Sequence, residues 1–169
     1  MAGRWAGRLG RRGLALLMLS GLAACAGSGD GGGTAPRACT PTAPCEPAPD
    51  PASVSFRNNI QPMIFTPSCA LGGCHDAVSS TQALNLSTGA AYRQLVNVRS
   101  TEQRNLKRVL PGDPDASYLV RKIENAMGIT GTIMPQGCDT GVGLNGAPCL
   151  TADQIQAVRT WICACAPNN

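Results

Sequence analysis

Apolar residues recur every three to four positions in several segments of the chain, which is the spacing of helices that bury one face. The first such segment carries Phe56, Ile60 and Ile64, and Ser55 just before it is a candidate N-cap. Pro62 should kink or shorten this helix, because proline lacks a backbone donor and clashes with the preceding turn. The pattern predicts a first helix that leads directly into a stretch with two cysteines and a histidine.

Two shorter apolar segments in the middle of the chain predict two further helices. Ser87 or Thr88 is placed to cap the first of them, which continues to Val96. The second begins near Asp115, after a turn rich in proline and glycine, and continues to Met127.

The last helix has the clearest beginning, because Thr151 followed by Gln154 forms a capping-box pattern. Ile155, Val158 and Ile162 then line one face. No alternating apolar and polar run of strand length occurs in the sequence. The pattern therefore predicts an all-α fold with long loops.

The beginning of the chain has the pattern of an export signal. Four arginines precede a short apolar run at 13–19, which is too short to span a bilayer permanently. The run ends at residues 22–25, Leu-Ala-Ala-Cys, which resemble the lipobox of bacterial lipoproteins. We expect residues 1–24 to be a lipoprotein signal peptide, Cys25 to be lipidated and the outer membrane to be the destination. An ordinary secretory signal cleaved nearby is the alternative.

Residues 25–52 are rich in glycine and proline and have hardly any large apolar residue, which predicts a disordered tether. The whole chain has nine cysteines, typical of an oxidising compartment. Four of its fourteen basic residues lie in the signal, so ten basic and ten acidic side chains remain. Such a balance gives no basic patch for nucleic acid. Aromatic residues are only 4%, and a covalently held macrocycle would add apolar bulk to the core.

The chemistry of the predicted domain centres on Cys69, Cys74 and His75, the only histidine in the sequence. In c-type haem attachment, two thiols add to the haem vinyl groups and the adjacent imidazole becomes the proximal iron ligand. The usual spacing is Cys-x-x-Cys-His, whereas four residues separate the cysteines here. A Cys69–Cys74 disulfide beside a passive histidine is the alternative.

A haem iron with one histidine needs a sixth ligand or keeps an open site. Methionine thioethers are the available soft ligands, and the predicted domain contains Met63, Met127 and Met134. Met134 is the best placed, because it lies in a glycine-rich loop, is followed by Pro135 and is far from His75 in sequence. A thioether ligand raises the reduction potential and suits one-electron transfer. Filling a gap in the core is the alternative role for Met134.

The order of these motifs resembles the planctomycete-type cytochrome c-like domains of secreted and surface-attached bacterial proteins. The resemblance covers residues 53–167 and rests on a series of motifs in order: Phe56 to Phe65, Cys69 with Cys74-His75, Pro111 to Leu119, Met134-Pro135, and Leu150 to Ile162. It implies a small class I cytochrome c-like fold with one covalent haem c. By position, Cys69 and Cys74 would hold the haem, His75 would be the proximal ligand and Met134 the distal one.

Six further cysteines lie in the tether and the predicted domain, and disulfides are the expected state for them. Cys138 and Cys149 flank a ten-residue loop that a bridge would close. Cys163 and Cys165 are poorly placed to bond each other, so we expect one or both to pair with Cys39 and Cys45 of the tether. A small loop closed by a Cys39–Cys45 bond is the alternative. A four-cysteine zinc site is the rival, but no paired Cys-x-x-Cys knuckles occur.

The leading functional hypothesis is a membrane-anchored monohaem cytochrome that passes single electrons between redox partner proteins in the periplasm or at the cell surface. A haem-less, disulfide-stabilised surface lipoprotein acting as a binding or structural module is the alternative. We do not expect an enzyme, because no second histidine exists to act as acid or base near an iron, and no nucleophile triad, phosphate loop or carboxylate pair occurs.

Overall fold

The structure is a computed structural model, and it describes residues 39–41, 45, 50 and 52–169. The predicted signal peptide, the lipidation site Cys25 and most of the predicted tether lie outside the described residues. Within the described residues, no helix has both the length and the apolar character needed to cross a membrane.

The first helix forms where the apolar spacing predicts it. Ser55 caps it through its hydroxyl, which accepts from the Asn58 amide at 3.1 Å. The segment Phe56–Phe65 is a π-helix, and a short α-helical turn, α1 (Thr66–Ser68), continues from it. The helix thus continues past Pro62 instead of ending there. Because its hydrogen bonds run from residue i to i+5, the proline ring faces a different carbonyl from the one it would meet in an α-helix.

Three α-helices follow: α2 (Ala91–Leu95), α3 (Tyr118–Ile123) and α4 (Ala152–Cys163). The capping box at Thr151 and Gln154 is present at the beginning of α4. Short 3₁₀ turns, each of three residues, interrupt the long loops.

The two middle helices are shorter than the sequence predicts. Ala90 occupies the N-cap position of α2, in place of Ser87 or Thr88. In α3 the first turn is lost, because the Asp113 carboxylate accepts from the Ala116 amide at 2.9 Å and holds the segment before Ser117 as a turn. The helix ends before Met127, whose side chain is 95% exposed.

In the described part of the chain, extended pairing is limited to isolated bridges between residues 96 and 109, 99 and 107, 107 and 117, and 110 and 113. The mostly helical fold is therefore confirmed at the level of class. The irregular segments between α2 and α3 owe their order to these bridges and to side chains that bind backbone carbonyls.

A compact aromatic cluster joins the two ends of the described domain. The ring of Phe56 lies 5.2 Å from that of Trp161 and 5.3 Å from that of Tyr92. The polar atoms of these rings are satisfied by the C-terminal turn, since Tyr92 donates to the Ala166 carbonyl and Trp161 to the Pro167 carbonyl, both at 2.9 Å. This cluster closes the fold on the side of the N- and C-terminal helices.

Three disulfides confirm the expected cysteine pairing. The structure joins Cys138 to Cys149, with their Cα atoms 5.5 Å apart. The two cysteines before the domain are joined to the end of α4 by the pairs Cys39–Cys165 and Cys45–Cys163, with Cα separations of 5.9 and 5.2 Å. Cys39 and Cys45 are therefore fixed covalently to the last residue of α4 and to the turn that follows it.

Candidate functional site

A large pocket opens between the segment that follows α1, the segment before α3, α3 itself and the loop before α4. Its empty space, including the part open to solvent, is about 1060 Å³. All four residues that the sequence assigns to haem line it: Cys69, Cys74, His75 and Met134. The structure thus brings together two thiols, an imidazole and a thioether from positions up to 65 residues apart in the sequence.

The four residues between the cysteines fold into a tight turn. The Cys74 amide donates to the Leu71 carbonyl at 2.9 Å, and Gly73 supplies the left-handed backbone that this turn needs, with φ of +82°. The His75 amide then donates to the Cys69 carbonyl at 3.1 Å and closes the loop. The four intervening residues therefore fold back on themselves, and this places Cys74 and His75 beside Cys69.

Cys69 and Cys74 are the two described cysteines that are not in a disulfide. The Cys69 side chain is buried, and burial, together with the nearby Cys74 thiol, raises its pKa to about 12. Cys74 is half-buried. The Cys69–Cys74 bridge that the sequence leaves open as an alternative is not formed in this structure, and both residues are free cysteines that line the pocket.

His75 has one ring nitrogen engaged by the backbone. Nδ1 lies 3.0 Å from the Thr81 carbonyl and 3.2 Å from the Leu84 carbonyl. Because carbonyls only accept, Nδ1 carries the proton and Nε2 keeps its lone pair. Burial lowers the pKa of the ring, which favours the neutral form. A neutral imidazole with its Nδ1 proton held by carbonyls is the arrangement that orients Nε2 as a metal ligand.

Met134 differs from the other methionines in its surroundings. Met63 is 61% exposed and Met127 is 95% exposed, and neither lines the pocket. Met134 is half-buried, and its amide donates to the Lys122 carbonyl of α3 at 2.8 Å. Of the three candidate methionines, the structure therefore places only Met134 in the pocket with His75.

A buried polar cluster beside Met134 is absent from the sequence predictions. The Lys122 ammonium lies 3.4 Å from the Glu102 carboxylate and donates to the Thr130 carbonyl at 2.8 Å. The Tyr118 hydroxyl donates to Glu102 and accepts from the Thr130 amide, both at 3.0 Å. Lys122 follows Tyr118 by four positions in α3, so helical spacing places both on one face, but nothing in the sequence singles out Glu102.

Arg108 is the second buried basic residue on the pocket wall that the sequence analysis does not identify. Its side chain donates to three backbone carbonyls and belongs to the segment between α2 and α3. An arginine in a polar segment is normally a solvated residue, so its burial depends on the tertiary fold.

The described residues contain no group of three or more histidine, cysteine, aspartate or glutamate side chains close enough to hold a metal ion. The rival zinc site therefore has no ligand set among them. The donor set at the pocket, one imidazole and one thioether with two free thiols, suits a metal that brings its own equatorial ligands.

No family model matches the chain, and no curated protein or solved structure matches it.

Proposed function

We propose that the protein is a membrane-anchored, monohaem c-type cytochrome-like protein that carries single electrons in the periplasm or at the cell surface. The observation that carries the proposal is the convergence of Cys69, Cys74, His75 and Met134 on one pocket, while the other described cysteines are in disulfides. The fold class, mostly helical with long loops, is consistent with a small cytochrome c-like domain.

The residues fit a covalent haem in chemical terms. Each thiol, at Cys69 and Cys74, would add its S–H across one vinyl group, forming a C–S bond with no oxidant required. His75 would bind the iron through Nε2, and the Met134 thioether would be its second protein ligand. Haem bound in this way supplies a one-electron couple whose potential is raised by the thioether ligand.

The same residues favour electron transfer over catalysis. With Met134 as a ligand, no coordination position stays open for a substrate. His75 is the only imidazole, and both of its ring nitrogens are assigned, Nδ1 to backbone carbonyls and Nε2 to the iron. No imidazole is left to act as an acid or base beside the iron.

The location of the protein follows from the lipobox-like sequence at residues 22–25. Lipidation of Cys25 would anchor the chain, with several acyl chains giving firmer binding than one. The disulfides at Cys39 and Cys45 would leave a short tether between the lipid and the domain. The outer membrane is the proposed site, and the partners are other redox proteins.

The test is to produce the chain in a bacterial host that has the machinery for cytochrome c maturation. After extraction of non-covalent haem, we expect a haem absorption spectrum and an intact mass that includes one haem per chain. The Cys69→Ala/Cys74→Ala variant should lose both signals. Met63→Ala is the matched control for Met134→Ala, and only the latter should alter the spectrum of the reduced protein and lower its potential.

A haem-free mass in the same host, with Cys69 and Cys74 recovered as thiols or as a disulfide, would refute the proposal. The remaining reading would then be a disulfide-stabilised surface module whose pocket holds another ligand. An unchanged spectrum in Met134→Ala would refute the distal role alone.

A further inference from the structure

Arg108 is a buried cation whose charge is met by backbone carbonyls. The residue is only 7% exposed, and its guanidinium donates to the Gln94 carbonyl at 2.9 Å, the Gln82 carbonyl at 3.0 Å and the Ala83 carbonyl at 3.1 Å. Among the described residues, no carboxylate lies within ion-pair distance of it. Burying a guanidinium is costly, so its position needs a structural or functional reason.

The carbonyls that Arg108 binds belong to the same short turn as those that bind His75. Thr81 and Leu84, the outer residues of four in sequence, accept from His75 Nδ1. Gln82 and Ala83, the inner two, accept from Arg108. One four-residue turn therefore presents its outer two carbonyls to the imidazole and its inner two carbonyls to the guanidinium.

This turn is held in an unfavourable backbone conformation. Ser80, Gln82 and Ala83 have φ of 42°, 57° and 52°, in the left-handed region that side chains other than glycine rarely adopt. Such conformations persist only where the surroundings hold them, and they cluster at functional sites. Arg108 supplies two of the hydrogen bonds to the turn, and its bond to the Gln94 carbonyl fixes the guanidinium to α2.

We propose that Arg108 is a positioning residue for His75. Its planar guanidinium holds the 81–84 turn in place. The Thr81 and Leu84 carbonyls then accept the Nδ1 proton, which directs Nε2 toward the pocket. The role of Nε2 as an iron ligand rests on the proposed function. The positioning of the ring does not, and it can be measured on the chain without haem.

The experiment uses the full chain with ¹⁵N-labelled histidine, in which His75 gives the only imidazole signals. At about pH 8 the ring is neutral, and NMR reports which nitrogen carries the proton. The wild type should be mainly in the Nδ1–H form. Arg108→Gln should shift the population severalfold toward Nε2–H and speed the exchange of the Nδ1 proton with solvent.

Two further variants separate positioning from general destabilisation. Arg108→Lys keeps the charge but replaces the planar fork with a single ammonium, so we expect a shift smaller than that of Arg108→Gln. Arg93→Gln removes an exposed arginine that also donates to a backbone carbonyl, that of Gly89, and it should leave the imidazole unchanged. If near-UV circular dichroism shows that Arg108→Gln does not fold, the comparison of Arg108→Lys with Arg93→Gln tests the inference instead.

The inference would be overturned if every Arg108 variant that folds had the wild-type ratio of the Nδ1–H and Nε2–H forms. An equal shift of that ratio in Arg93→Gln would also overturn it. The haem-loaded chain gives a second measurement, the exchange rate of the Nδ1 proton in the reduced protein. A chain that fails to bind haem but shows the shift refutes only the proposed function. A chain that binds haem but shows no shift refutes only the role of Arg108.

Discussion

The pocket has two walls, which are held in different ways. The His75 wall is formed by Cys69, Cys74, His75 and the 81–84 turn, and the Met134 wall by α3 and the loop that carries Met134. On the His75 wall, the side chain is fixed by carbonyls within ten residues of it in sequence, and Arg108 is the distant contributor. On the Met134 wall, the loop is fixed by α3 through Lys122 and Tyr118 and by a disulfide just beyond it. The first wall is largely local and built on the backbone, whereas the second depends on side chains brought together by the fold.

The difference predicts different sensitivities. A side chain that is held by backbone carbonyls tolerates most nearby side-chain changes, because the accepting carbonyls remain. A loop held by side chains and a covalent bridge loses its position one contact at a time. Substitutions on the Met134 wall should therefore cost stability in proportion to the contact removed, while those on the His75 wall should act mainly on the protonation and accessibility of the site.

Removing the Cys138–Cys149 disulfide should cause the largest loss of stability in the Met134 wall. For a loop of this size, the loss of chain constraint amounts to about 3 kcal/mol. We expect Cys138→Ser/Cys149→Ser to lower the free energy of unfolding by that amount in urea titrations of the haem-free chain. Cys74→Ser, which removes a half-buried free thiol, is the control and should cost much less. Equal losses would mean that the bridge does not constrain the loop.

The Lys122 ammonium is the next strongest contact. Lys122→Met leaves the Glu102 carboxylate without its cation and the Thr130 carbonyl without its donor. We expect a loss of about 2 kcal/mol, less than the usual cost of breaking a buried pair, because Glu102 keeps the Tyr118 hydroxyl as a donor.

Lys107→Met is the matched control for Lys122→Met, since Lys107 donates to the exposed Asn97 side chain at 2.7 Å. Its loss should be within about 0.5 kcal/mol of the wild type. Urea denaturation of both variants measures the difference. Similar values for the two lysines would show that the cluster beside Met134 contributes no special stability.

Tyr118→Phe makes a smaller change in the same cluster. It removes one hydroxyl that serves both Glu102 and the Thr130 amide, and we expect a loss of about 1 kcal/mol. Tyr92→Phe, which removes a hydrogen bond to the Ala166 carbonyl, should cost a similar amount. The two variants differ in amide hydrogen exchange, since only Tyr118→Phe should speed exchange at Thr130. Faster exchange at Thr130 in both variants would indicate general loosening of the fold instead.

The same contrast between local and distant contacts explains which structural features the sequence predicts correctly and which it does not. The helix after Ser55 and the capping box at Thr151 depend on residues within one or two turns, and both form as predicted. Among the disulfides, the Cys138–Cys149 bridge is predictable because its cysteines flank one short loop. The sequence leaves the partners of Cys39 and Cys45 open, and the fold selects the C-terminal cysteines. The beginning of α3 was predicted wrongly, because the Asp113 carboxylate competes with the helix for a backbone amide.

The residues of the candidate site also divide into those that the sequence identifies and those that only the fold brings together. Cys69, Cys74 and His75 lie within seven residues of one another, so the sequence alone is enough to single them out as a candidate site. Nothing in the sequence singles out Arg108 or Glu102, and only tertiary packing buries the first and pairs the second with Lys122. Buried polar clusters of this kind leave no periodic signal in a single sequence, because their members come from different segments.

The two thiols of the His75 wall provide the mildest test, one that leaves stability unchanged. Because burial raises the Cys69 pKa to about 12, only about 1 in 10⁴ of its thiols is ionised at about pH 8, and the thiolate is the form that reacts with iodoacetamide. We expect peptide mass spectrometry of the folded, haem-free chain to find the half-buried Cys74 alkylated first. Cys69 should become reactive as the pH is raised or when urea unfolds the chain. Equal labelling of both thiols in the native chain would mean that this wall opens readily, and it would remove the contrast with the Met134 side.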